Sequence, residues 1–130
     1  MAGYMLIVHS DCRDPAREDE FNAWYNDIHI PDMLKIPGMV QATRWENAYP
    51  PGNDRRRYIA VYEAETDDLE AFLDQLRKHG QRSVEGGRYS DLMVREPPDV
   101  PRVIYRQLMP VKRAAAESRS VRSEELRTER

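Results

Sequence analysis

A tyrosine and two histidines carry most of the chemistry this sequence could do. In FNAWYNDIHIPDMLKIPG, residues 21–38, Tyr25 precedes His29 by four positions. On a continuing helix the two share a face. An imidazole titrates near neutrality and serves as general acid or base. A phenol can donate a hydrogen bond to a carbonyl or enolate oxygen. Asp32 follows three residues after His29 and could orient its ring. His29 has a second reading, as a cation favoured at the C-terminal end of its own helix. Tyr25 can equally be a core tyrosine with its hydroxyl at the edge. His9 ends a short apolar run, YMLIVHS, in which Met5, Ile7 and His9 fall on one side. If that side faces a cavity, His9 is a second acid/base candidate. If it faces helices, His9 is a satisfied histidine.

Arg44 alternates with Ala42 and Glu46. It either binds a carboxylate or enolate oxygen or pairs with an acid. Trp24 and Phe21 read first as packing residues. Tyr58 and Tyr62 share a strand face and, with Tyr105, line an aromatic pocket or pack a dimer. His79, among Arg77, Lys78 and Gly80, reads as a surface residue. His9, His29 and His79 lack helical pair spacing, and no HExxH or cysteine pair occurs, so no metal site is expected. Gly86-Gly87 alone is too little for a phosphate loop. No cofactor is expected, although a single histidine could ligate haem.

The elements that must position these residues follow from periodicity. Residues 4–10 read as a buried strand. Asp14 before Pro15 reads as a helix N-cap with proline at the first position. Phe21, Trp24, Tyr25 and Ile28 then mark one helical face. Pro31 discourages helical geometry at Ile30, so this helix is expected to stop near His29. Residues 39–48 and 57–65 read as strands joined through the turn YPPGND. Thr66 or Asp67 is expected to cap a second helix, with Asp67 and Glu70 as a capping box. Leu69, Phe72, Leu73 and Leu76 form its buried stripe, and Gly80 is expected to close it. Residues 82–101 read as irregular, and 102–111 as a last strand.

The chain has 130 residues and a net charge of -3, which suits one domain of modest core. Acids and bases are mixed throughout, unlike a nucleic-acid-binding face. Arg55-Arg56-Arg57 reads as a solvated hairpin loop. Cys12 is the only cysteine, which excludes an intrachain disulfide and points to a reducing compartment. The run Tyr4–Val8 is too short for a signal peptide or membrane span, so a soluble cytoplasmic protein is expected. From Lys112 onward six bases and four acids give +2. Residues 1–111 are therefore expected to form the domain, and 112–130 a frayed or disordered tail.

Strand, helix, strand, strand, helix, strand is the ferredoxin-like βαββαβ order. It places two helices on one face of a four-stranded antiparallel sheet. The other face needs a cover, and a homodimer packed sheet to sheet supplies one.

Residues 21–46 resemble the EthD-like branch of the dimeric α+β barrel superfamily. The shared pattern is Trp24-Tyr25, three residues, His29-x-Pro31, an apolar pair Met33-Leu34, Pro37-Gly38, then a strand bearing Arg44 and Trp45. The fold order extends the resemblance over about residues 3–111. It implies a homodimeric α+β barrel acting on a small aromatic, lactone or polyketide-like carbonyl compound. Superfamily members include cyclases, isomerases, cofactor-free monooxygenases and haem-dependent enzymes. The implied acid/base group is His29, with Tyr25 and His9, and the implied substrate contacts are Arg44, Trp24, Trp45 and Tyr62. A non-catalytic ligand-binding or interaction dimer is the alternative.

Overall fold

The computed structural model describes residues 1–49, 57–95 and 103–115. The elements run β1 (Ala2–Cys12), a 3-10 turn (Pro15–Arg17), α1 (Glu18–Trp24), a π turn (Tyr25–His29) and α2 (Ile30–Met33). There follow β2 (Met39–Glu46), β3 (Tyr58–Thr66), α3 (Leu69–Glu85), β4 (Met93–Arg95) and β5 (Val103–Arg106). The antiparallel sheet places β3 between β2 and β1. On the other edge of β1, β4 pairs along Ser10–Cys12 and β5 along Tyr4–Ile7. They fill one strand position in two pieces. The ferredoxin-like sheet expected from the sequence is present, but with five strands instead of four. The segment 93–95, read as irregular, begins the last strand position, and β5 ends at Arg106 rather than 111.

Strand alternation sorts the two faces. Leu6, Val8, Ser10 and Cys12 of β1 and Tyr58, Ala60, Tyr62 and Ala64 of β3 are buried. They form the core with Phe21, Tyr25 and Met33 from the first helical layer and Phe72 and Leu76 from α3. The opposite face carries Met5, Ile7 and His9 beside Val61, Ile59, Val103 and Tyr105.

Both helices outrun their expected ends. The first does not stop at His29 but continues to Met33. The Ile30 amide reaches back five residues to the Tyr25 carbonyl. Pro31, which has no N–H to give, sits at the start of α2. A wide turn of this kind accommodates a proline that would break an ordinary helix, and such turns recur at functional sites. Asp14 caps the entry as expected, accepting from Ala16 N at 3.0 Å.

The N-cap of α3 is Asp68, which accepts from Ala71 N at 3.0 Å. The sequence reading placed the cap at Thr66 or Asp67. Thr66 instead braces the cap, its Oγ1 accepting from Asp68 N at 3.0 Å. Gly80 does not close α3, because one glycine inside a helix costs only about 1 kcal/mol. The stop comes at Gly86-Gly87. Arg88 N donates to Ser83 O at 2.9 Å and Gly87 N to Val84 O at 3.1 Å. Gly87 supplies the left-handed residue, φ 70°, of this Schellman ending. Gly38, φ 100°, makes the turn into β2, where a Cβ would meet Glu65 O and the Phe72 ring, both at 3.2 Å.

Most of the turn expected at 49–54, the irregular stretch 96–101 and the greater part of the 112–130 tail lie outside the described residues. Asn47 N donates to Arg57 O at 2.7 Å, closing the β2–β3 hairpin. No helix among the described residues is long and apolar enough to cross a membrane.

Candidate functional site

The π turn delivers His29 into a box of aromatic rings. Its imidazole stacks on Trp24 at 4.8 Å between centroids, with an interplanar angle of 21°. Tyr25 meets it edge-on at 5.0 Å, and Tyr89 at 5.7 Å. His29 therefore lies within the helical run rather than at its end, and the capping role loses its geometric basis. Tyr25 and His29 do come together, as their spacing predicts.

Arg44 reaches this cluster from the sheet. Its guanidinium lies 4.1 Å from the centroid of the Tyr25 ring and 5.3 Å from that of Tyr58. Nη1 donates to Asn26 Oδ1 at 2.8 Å and Nη2 to Asn22 Oδ1 at 2.9 Å. Register explains the ring of phenols. Arg44 pairs with Ala60, so Tyr58 and Tyr62 flank it diagonally on the same face. Burial pushes the guanidinium below its usual pKa, while the Tyr25, Tyr58 and Tyr62 phenols pull it back up. An arginine stays charged through such a shift. The acid partner of the sequence reading is not what holds Arg44 among the described residues. Two asparagine oxygens and a ring face hold the cation.

Tyr58 is tied into the same wall. Its hydroxyl donates to Glu18 Oε1 at 2.5 Å, and Arg57 Nη2 meets the same oxygen at 2.6 Å. Burial first, and then the Glu18 contact, raise the Tyr58 phenol above its usual pKa.

Asp32 does not orient His29. It is buried at 7 % exposure and turned the other way. Arg88 grips it with two hydrogen bonds, Nε to Oδ2 at 2.6 Å and Nη2 to Oδ1 at 3.1 Å. Lys35 Nζ approaches Oδ1 at 3.6 Å. The Arg88 contact holds the Asp32 carboxyl below the ordinary carboxylate range, against the opposing effect of burial. The Trp24 indole N–H donates to Arg88 O at 2.8 Å. The Schellman ending of α3 thus launches a strap, Arg88-Tyr89, which Asp32 and Trp24 fasten across His29.

The sequence reading linked His9 and Trp45 to this site, but the sheet separates them from it. Both lie on the open face, where His9 pairs with Ile59 and Trp45 with the same residue from β2. One step of strand alternation puts Trp45 on the face opposite Arg44. Trp45 is 59 % exposed, and its indole N–H donates to Thr43 Oγ1 at 3.0 Å. His9 and Trp45 line a separate cleft of about 260 Å³ with Arg57 and Ile59. The Nδ1 atom of His9 is buried with no hydrogen-bond partner among the described residues. Of the other substrate candidates, Tyr62 sits fully buried on the helix face and Trp24 forms one wall of the box.

The sequence reading missed Asn22, Asn26, Arg88 and Tyr89. Asn22 and Asn26 carried a usable signal, since their spacing of four on the quoted helix sets two amides on one face. Tyr89 carried none, because its placement depends on where α3 ends. Among the described residues, no group of three or more His, Cys, Asp and Glu is placed to hold a metal ion. Haem would need an axial ligand, and His29, partly exposed and stacked on Trp24 with Tyr25 and Tyr89 edge-on, is the histidine of this cluster that would supply one.

No protein-family model matches the chain, and no curated protein matches it. Solved structures do. HapK from Hahella chejuensis superposes with a TM-score of 0.60 at 18% identity, over 86% of this chain and 99% of that one. A candidate monooxygenase from Shewanella loihica gives 0.53 at 17% identity, over 85% and 99%. An EthD family protein from Bacillus halodurans gives 0.53 at 16% identity, over 83% and 100%. These likenesses show a ferredoxin-like α+β fold over most of the chain.

Proposed function

We propose that the protein is a small cofactor-independent enzyme acting on an aromatic, lactone or polyketide-like carbonyl compound. The observation that carries this reading is His29 held inside a π turn, boxed by Trp24, Tyr25 and Tyr89, with a fixed cation beneath Tyr25. His29 takes a proton from the carbon next to the substrate carbonyl. The Tyr25 hydroxyl donates to the oxygen on which negative charge grows, the place where a fixed donor contributes most. His29 then returns the proton at the product position, so the enzyme ends as it began. Arg44 is a positioning residue. Its charge against the ring face clamps Tyr25 and polarises the phenol toward donation. Trp24 and Tyr89 offer flat apolar walls to an aromatic substrate.

The same reading takes the protein as a homodimer joined through its open sheet faces. Met5, Ile7, Ile59, Val61, Val103 and Tyr105 make that face apolar, and a patch of this kind is usually an interface. The full burial of Tyr25 favours a second reading, in which the box is packing and the dimer binds a ligand or partner without turnover.

The test is proton exchange. The protein is incubated in D2O with a panel of such carbonyl compounds, and deuterium uptake beside the carbonyl is followed by NMR. At least one compound should exchange, and His29→Gln should slow it by about 100-fold or more with the fold intact by circular dichroism. Exchange by no member of the panel, or exchange indifferent to His29, rejects the acid–base role. A Soret band in the purified protein would turn the reading toward haem.

A further inference from the structure

A second cleft, of about 320 Å³, opens between the turn after α2 and the outer side of α3. None of the groups given an acid–base role above lines it. Its volume is at the small end for ligand sites. His79 and Arg82 stand three residues apart on α3, so they share a face. Lys35 closes the cleft from the α2 side and Arg88 from beyond the end of α3. The whole chain carries -3, yet here Lys35, Arg82 and Arg88 face a single carboxylate, Asp32.

That carboxylate is already committed to Arg88, with Lys35 at 3.6 Å. The Arg82 guanidinium makes no ion pair or hydrogen bond among the described residues. His79 was expected at the surface, but its Nε2 is buried and has no hydrogen-bond partner among the described residues. Burial holds its imidazole below the ordinary pKa, which favours the neutral ring. A buried polar atom without a partner is costly and marks a place where a ligand or water belongs. Two cations with capacity to spare and one unanswered imidazole nitrogen therefore point into the same small space.

We propose that this cleft binds a small anion through a phosphate or carboxylate group, with Arg82 and Lys35 taking its oxygens and His79 Nε2–H donating a third hydrogen bond. The anion takes the place of the missing partner of His79. Arg88 stays with Asp32 and lends charge without contact. The site is independent of the catalytic reading, because its residues lie outside the aromatic box.

The experiment is an amide NMR titration of the full chain. Inorganic phosphate and succinate are added separately, with sodium chloride holding the ionic strength constant. Saturable shifts centred on Lys35 and on residues 79–83 are expected with at least one anion. Saturation by phosphate alone identifies a phosphate group, and saturation by succinate alone a carboxylate. Arg82 is exposed, so Arg82→Ala should fold normally and weaken binding about 10- to 100-fold, the range for a lost charged hydrogen bond. Lys35→Ala should weaken it less. Linear, non-saturating shifts with both anions overturn the proposal. So does affinity unchanged in Arg82→Ala, or a response centred elsewhere.

Discussion

The two faces of the sheet hold similar residues and put them to different uses. Each face presents a histidine-bearing cluster, a tryptophan and several tyrosine or aliphatic side chains. On the helix face the core aromatics are locked. Arg44 has two asparagine partners, Tyr25 lies over the cation, and Phe21, Tyr25 and Tyr62 show no exposure at all. On the open face the same residue types are loose. Trp45 stays 59 % exposed and Val103 and Tyr105 49 % each, with His9 among them. A step of one residue along β2 separates Arg44 from Trp45. Strand alternation, more than residue type, decides which aromatic can belong to a site and which waits for a partner.

Substitutions that remove bulk test this contrast most strongly. Tyr62→Ala empties a fully buried position on the helix face and should cost about 3–5 kcal/mol in urea unfolding. Tyr105→Ala, half-exposed on the other face, should cost less than about 1 kcal/mol when measured at protein concentrations low enough to hold the monomer. Equal costs would erase the distinction between the faces.

A charge on the open face probes the other half. Val61 lies between Ile7 on β1 and Thr43 on β2. If the open face is the proposed interface, Val61→Asp should weaken self-association about 100-fold, read by sedimentation, because it places an unpaired carboxylate there. The helix-face packing should survive. Association unaffected by this change would mean that the open face is not where two copies meet.

How far the sequence reveals this arrangement depends on the range over which each signal acts. Strand order and the buried Phe21, Tyr25, Phe72 and Leu76 positions follow from local periodicity. So does the Asp14 cap. The meeting of Tyr25 with His29 was also legible, from a spacing of four. What periodicity could not see was any feature decided by distant partners. Pro31 argues locally for a helix end, yet the π turn absorbs it and carries the chain on to Met33. Asp32 sits at the right spacing for His29, but a stronger charge-assisted partner, Arg88, is 56 residues away. His9 was undecided between two faces because alternation gives a period and not a direction. The split of the last strand position between β4 and β5 left no mark in the residue pattern.

The strap across His29 offers a smaller effect with a defined pH window. Arg88 depresses the Asp32 pKa in the folded state. The ion pair therefore contributes stability that is fully present above the unfolded value, about 3.9, and is lost as pH falls through the lower folded value. The strap should hold unchanged from pH 5 to 8 and loosen only below about 4. Amide exchange at residues 86–90 reads this directly. Asp32→Asn should reproduce the loosening at pH 7 and cost about 1–2 kcal/mol, since Arg88 is half-exposed and the pair is partly screened. Loosening that begins near pH 6 would instead assign the control to a histidine.

The smallest effect concerns the element that launches the strap. Gly80 lies inside α3, five residues before its end at Glu85, and a Cβ built there meets nothing within 4 Å. An alanine at an open position inside a helix removes backbone freedom from the unfolded chain without strain in the folded one. Gly80→Ala should therefore stabilise the protein by about 0.5–1 kcal/mol. The sign of the change is what matters. Were Gly80 the left-handed residue that terminates the helix, the same substitution would destabilise, because a Cβ is disfavoured there. Gly87, φ 70°, is the residue for which that cost is expected, so Gly87→Ala should lower the melting temperature where Gly80→Ala raises it. Opposite signs at these two glycines would place the end of α3 at 86–87, where Arg88 can reach Asp32 and Tyr89 can close on His29. Destabilisation at Gly80 would shorten the helix by a turn and a half and leave the strap with no anchor.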